Sequence, residues 1–299
     1  MDIRQLRYLV SLAREKHFAR AAEACGVAQP TLSAGLRHLE DDLGVPVVER
    51  GNRFKGLTPE GERVLAWAQR ILADCHALEQ ELVGARKSLT GRINIGVIPS
   101  ALAMVAKLTA ALLARQPGLG VRLRSLSSIE IQRGLDDFDL HAGITYLDNE
   151  RLAHVRSQPL YRERYVLLAA RGQGLDGRMG IGWAEAAELP LCLLIPEMQN
   201  RRIVDAAFAG AGAKPNPVVE TDSMAALVSH VREAGLVAVG PDQLLARLGI
   251  EHELLAIPLE QPELEHTVGL VVADREPTPP FVAALWAAAQ ALQTDREPR

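Results

Sequence analysis

Apolar residues first recur at helical spacing in short stretches up to residue 58. They then settle into one long stripe, and after residue 91 give way to short runs broken by polar turns. Ile3, Leu6, Leu9, Val10 and Ala13 share one face of a first helix, and Phe18, Ala21, Ala22 and Cys25 share a second, shorter one. Gly26 follows, where a helix end asks for positive φ. A third helix opens at Gln29-Pro30, with proline suited to the first turn. Its inward series is Leu32, Leu36, Leu39 and Leu43.

That series leaves Gln29, Thr31, Ser33, Ala34, Arg37 and His38 facing out. Gln and Arg suit base edges, and Ser and Thr suit phosphates, although a merely solvated helix face has the same composition. The order of elements favours DNA. Helix, short helix, glycine turn and helix is the helix-turn-helix plan, whose last helix enters the major groove. From Val45 to Leu57 the pattern then reads as two short strands around Gly51-Asn52, a wing that carries Arg50, Arg53 and Lys55 for flanking phosphates.

Thr58-Pro59 starts a long helix in which Val64, Ala68, Ile71, Cys75, Leu78, Leu82 and Ala85 recur at alternating spacings of four and three. A narrow heptad stripe of this kind suits a two-helix coiled coil, and Val64, Ile71, Cys75, Leu78 and Leu82 are its candidate dimerisation residues. A helix packed on its own core would show a similar stripe.

Beyond Gly91 the period shortens. Arg92–Ile98, Val121–Leu126, Tyr165–Ala170, Leu191–Ile195, Val218–Thr221, Leu236–Pro241 and His266–Asp274 read as strands, with helical stretches between them. The alternation predicts an α/β domain with parallel strands, in two lobes joined by crossings near 163 and 267. Ser100 and Ser128 stand at helix starts after successive strands, places that serve equally as plain caps or as a ligand site beyond the strand ends.

Composition narrows the function. Of 299 residues 48% are hydrophobic and 23% charged, and the net charge of -4 confines any DNA contact to a local patch. Cys25, Cys75 and Cys192 are scattered, with no CxxC pair and no metal-ligand spacing, so neither a metal nor a cofactor is expected and the compartment reads as a reducing cytoplasm. No apolar run is long enough for a membrane span, and the amphipathic start has no signal-peptide core. GxSxG, GxxxxGK[ST] and HExxH are absent, and Gly210-Ala211-Gly212 ends a helix where a nucleotide fingerprint would start one, so no enzyme is expected. The competing reading is a solute-binding or enzymatic α/β domain fused to a helical dimerisation module.

From Met1 to Glu62 the chain resembles the DNA-binding domain of LysR-type transcriptional regulators. The resemblance is carried by Leu6-Arg7-Tyr8-Leu9, Phe18-Ala19-Arg20-Ala21-Ala22, Gln29-Pro30-Thr31-Leu32-Ser33, Leu39-Glu40, Leu43-Gly44, Arg50 and Leu57-Thr58. It implies that Gln29, Pro30, Thr31, Ser33 and Arg37 approach double-stranded DNA, with Arg50 and Arg53 on the wing. Ala28 and Gly35 depart from it, since a serine and a glutamine are usual there. The remainder resembles the family's effector domain through Pro99-Ser100 and Gly235–Pro241, with His141 where an aspartate is common.

What the resemblance implies is an α/β multidomain protein. A winged helix-turn-helix at 1–58 and a linker helix at 59–90 precede a two-lobed effector domain at 91–299 of the type-2 periplasmic-binding-protein fold. Lobe I takes 91–163 and 267–299, and lobe II takes 164–266. Ser100, Ser128, Gln199, Asn200, Arg201 and Thr221 would line a cleft for a small, anionic metabolite. The expected assembly is a homodimer or a tetramer of paired dimers.

Overall fold

The first unit, Met1–Lys87, is built from helices whose leucines meet in one core. Residues 1–49, 54–84 and 89–294 are described by the computed structural model. Helix α1 (Ile3–Glu15) begins in a reciprocal cap: the Asp2 carboxylate accepts from Arg4 N, and Gln5 Oε1 accepts from Asp2 N. Helix α2 (Phe18–Ala24) ends at Gly26, whose φ of +68° no β-carbon residue takes cheaply, and α3 (Gln29–Leu43) follows. In α4 (Pro59–Gly84) the Thr58 hydroxyl caps the first turn, accepting from Gly61 N at 2.9 Å.

The core gathers Leu6, Leu9 and Leu12 of α1, Ala21 and Ala22 of α2, and Leu32, Leu36 and Leu39 of α3, with Val47, Val48 and Ala68 closing it. Two expectations need correction. Leu12 takes the inward place, while Ile3 lies on the surface at the start of α1. Leu43 is 37% exposed, because α3 ends there and Gly44 turns the chain away.

The second unit, Ser88–Arg299, holds all the strands of more than one residue pair found among the described residues. One lobe takes β1 (Gly91–Val97), α5 (Leu102–Arg115), β2 (Leu119–Ser125), α6 (Ser128–Asp136) and β3 (Ala142–Tyr146). The chain then crosses on β4 (Val155–Ala170). The other lobe takes β5 (Ile181–Gly182), α7 (Trp183–Ala187), β6 (Leu191–Leu194), α8 (Gln199–Gly210), β7 (Val219–Thr221), α9 (Met224–Ala234), β8 (Val237–Pro241), α10 (Leu244–Leu248) and β9 (Leu254–Glu260). Strand β10 (Glu265–Ala273) and α11 (Pro280–Thr294) return to the first lobe.

Strand order is β2-β1-β3-β10-β4 in the first lobe and β4-β8-β6-β7 in the second, with β9 on the other edge of β4. The expected parallel sheet is found only in the outer strands. Strand β10 runs antiparallel to β3 and β4, and β4 antiparallel to β8 and β9. Lobes that exchange a long strand directly, without a helical crossover, must pair it antiparallel. Strand β4 also begins ten residues earlier than its apolar run, since Arg156, Gln158 and Arg162 are held by backbone pairing with β10 and not by hydrophobicity. Farther along β4 the faces alternate: Tyr165, Leu167 and Ala169 join one core, Val166 and Leu168 another.

Candidate functional site

The outward face of α3 carries Gln29, Pro30, Thr31 and Arg37 exposed and Ser33 half-buried, while Leu32, Leu36 and Leu39 anchor the opposite side. Among the described residues, Gln29, Thr31, Ser33 and Arg37 make no side-chain hydrogen bond or ion pair. Ala28 offers no capping oxygen to the helix start. Gly35 has a specific cause: a β-carbon there would lie 2.6 Å from the Tyr8 ring, so α1 and α3 pack closely at this position. The wing is short, with Val48 bridged to Leu57 and Glu49 N donating to Gly56 O at 3.1 Å. Arg50 and Arg53 lie outside the described residues. Sequence reasoning missed Glu40, whose carboxylate accepts from Val47 N and Val48 N at 2.8 and 3.1 Å and so ties the wing base to α3.

Along α4 the apolar stripe divides. Val64, Ala68 and Ile71 pack on the helix-turn-helix core, and Cys75 is half-buried. Leu78 and Leu82 are 58% and 65% exposed, as is Trp67 at 64% with Arg70 over its ring.

In the second unit, Ser100 and Asn200 meet through two tyrosines. The Tyr146 hydroxyl lies 3.0 Å from Ser100 Oγ, donates to Glu163 Oε1 at 2.6 Å and accepts from the Tyr165 hydroxyl at 2.9 Å. Asn200 Nδ2 donates to the Tyr165 hydroxyl at 3.2 Å. Burial pushes Glu163 up to about 7. The Tyr146 and Tyr165 hydroxyls are held far above their ordinary range, by burial first and then by the neighbouring Glu163 charge. On β10, His266 stands opposite Glu163, its ring edge-on to both tyrosines and its Nδ1 2.9 Å from Asp148. Burial opposes ionisation of Asp148, but hydrogen bonds from Thr267 N and His266 outweigh it and hold that carboxyl below its usual range.

The other predicted cleft residues have separate places. Gln199 Nε2 donates to Asn149 O at 2.6 Å and Gln199 Oε1 accepts from Thr145. Ser128 Oγ donates to Glu150 at 3.1 Å, and Arg202, which nothing in the sequence singled out, pairs with that carboxylate and holds it below the usual range. Arg201 is turned away: it donates to Leu194 O at 2.6 Å and is neutralised by Asp205 and Glu220, leaving no spare charge for an anion. Thr221 Oγ1 accepts from Ser223 N ahead of α9. Tyr146, Glu163 and Tyr165 escaped sequence reasoning because alternation shows which residues face inward, not which of them meet.

A helix-turn-helix with an exposed polar face and a two-lobed α/β unit define a DNA-binding regulator with a small-molecule module. Residues 3–62 match the bacterial regulatory helix-turn-helix protein, lysR family, and residues 86–293 match the LysR substrate binding domain. The chain belongs to the LysR family of transcription regulators.

It is 28% identical over 288 residues to the hydrogen peroxide-inducible genes activator of Haemophilus influenzae, covering 93% of this chain and 92% of that one. It is also 28% identical over 278 residues to the DNA-binding transcriptional dual regulator OxyR of Escherichia coli K12, covering 93% and 91%. A full-length OxyR variant from Pseudomonas aeruginosa superposes with TM-score 0.76 at 26% identity, over 98% of this chain and 95% of that one. CbnR in complex with its target DNA shares the fold, with TM-score 0.67 at 22% identity over 98% and 100%. Among the described residues, no helix is long and apolar enough to cross a membrane.

Proposed function

We propose that this regulator works in the cytoplasm by binding and not by catalysis. Gln29, Pro30, Thr31, Ser33 and Arg37 read the operator, and wing residues Arg50 and Arg53 add phosphate contacts. The domain division is 1–58, 59–90 and 91–299. Two chains pair along α4 through its exposed half at Leu78 and Leu82, with Cys75 beside them, and pairs of dimers form the tetramer. A small molecule that changes the contacts among Ser100, Ser128, Gln199 and Asn200 shifts how the lobes close.

The α3 face supports this reading: side chains that suit base edges and phosphates stand at the surface with no partner among the described residues, on a helix whose leucines pack against the core behind it. The test is Arg37→Ala in a mobility-shift assay on DNA upstream of the chain's own gene. Loss of one such contact weakens binding by about 1–3 kcal/mol. Unchanged operator affinity, with the same elution on gel filtration, overturns the assignment.

A second reading, sensing through an oxidisable thiol, is suggested by relatives that activate hydrogen peroxide-inducible genes. Peroxide attack needs an accessible thiolate, and Cys192, the second unit's one cysteine, is buried with its thiol pushed up by desolvation. Ligand binding is therefore the proposed signal.

A further inference from the structure

Beside the tyrosine network lies a small pocket. Ser100 and Glu163 sit deep in it, Met104, Tyr161 and Leu244 form its walls, and Arg247 is exposed at its mouth. Its inner room is about 10 Å³, enough for one water-sized group, and with the open mouth the void is about 240 Å³.

Two charged groups of this pocket, one of them buried, have no ion-pair partner among the described residues. Around it, Arg201, Arg202, Asp148 and Glu150 all have opposite-charge or hydrogen-bonding partners. Glu163 is 1% exposed, yet among the described residues neither it nor Arg247 forms an ion pair. A buried carboxyl without a cation is costly to ionise. The groups that face it are Tyr146 from β3, Tyr161 and Tyr165 from its own strand, His266 from β10, Asp242 after β8, and Arg247 from α10; α5 presents only Ala103 and Met104. Asp242 bears on Glu163 with the same sign, and His266 is engaged by Asp148, so no cation is supplied at close range.

We propose that this pocket binds a compact amphoteric ligand, with its protonated amine seated against Glu163 and its anionic end at Arg247. An ammonium head is about the size of the inner room, and the Tyr161 ring in its wall suits a cation. The ligand enters as R–NH3⁺, the Glu163 carboxyl gives up its proton to water, and the charges pair. Such a ligand would bridge β4 of one crossing to α10 of the second lobe, so the inference rests on the effector reading and names the effector's chemical class.

The experiment is titration calorimetry of the full chain with glycine, in two buffers of different ionisation heat. At pH 6 glycine should bind at one site per chain and release close to one proton. With Glu163 at about 7, binding should be roughly tenfold tighter at pH 8 than at pH 6. Methylammonium should bind more weakly and acetate not at all. Glu163→Gln should abolish both responses, and Arg247→Gln should remove the advantage of glycine over methylammonium. Absence of glycine binding, binding without proton release at pH 6, or a preference for acetate each overturns the proposal. Operator binding, followed separately, remains intact in those cases if only the ligand class is wrong, and is lost if the regulator reading itself fails.

Discussion

Replacing Glu163 by glutamine should change the pH dependence of stability more than stability itself. In the folded chain burial raises this carboxyl from 4.5 to about 7. The folded state therefore keeps the proton after the unfolded state has lost it. The sign follows: the contribution is fully present below about 4.5 and is lost as pH rises toward 7 and beyond. The distance between the two values corresponds to roughly 3 kcal/mol. Glutamine keeps an oxygen to accept from Tyr146 and adds an amide donor, but carries no charge at any pH. Urea unfolding followed by tryptophan emission in a Trp67→Phe background, where Trp183, buried edge-on to Phe208, and Trp286 remain, reports on the second unit. The variant should gain on the parent by up to about 1.4 kcal/mol per pH unit between 4.5 and 7, then level off. Stability curves that stay parallel from pH 5 to 8 would refute the reasoning.

Other perturbations test separate contacts. Gly35→Gln should destabilise the first unit by about 1–3 kcal/mol, because the new side chain meets the Tyr8 ring, and adding Tyr8→Ala should recover part of the loss in thermal melts; no recovery would show that the strain lies elsewhere. Leu78→Asp with Leu82→Asp should weaken self-association by roughly 2 kcal/mol per leucine in sedimentation while leaving helix content unchanged. An unaltered oligomer would move the interface off this part of α4.

The helix-turn-helix was legible because one period settles it. Leu32, Leu36 and Leu39 lie a turn apart, so wherever α3 packs, Thr31 and Arg37 must face away. Spacing of this kind is a property of the chain and survives any arrangement of neighbours. The α4 stripe shows where this stops: its first half was drawn in by the core beside it, which no heptad count distinguishes from a partner chain.

Much of the second unit was likewise written in the alternation of its residues, which marked seven of its strands and Ser100 at a helix start, but β3, β5 and β9 were not foreseen and Asn200 came only from the family resemblance. Only the tertiary structure decided that β4 runs through both lobes, that Tyr146 and Tyr165 hydrogen-bond across 19 residues, and that Glu163 is buried without a cation. Local periodicity records which face of an element avoids water. Which polar groups then meet, and which charge is left unpaired, depends on register between strands distant in sequence, and that follows from packing the whole sheet at once.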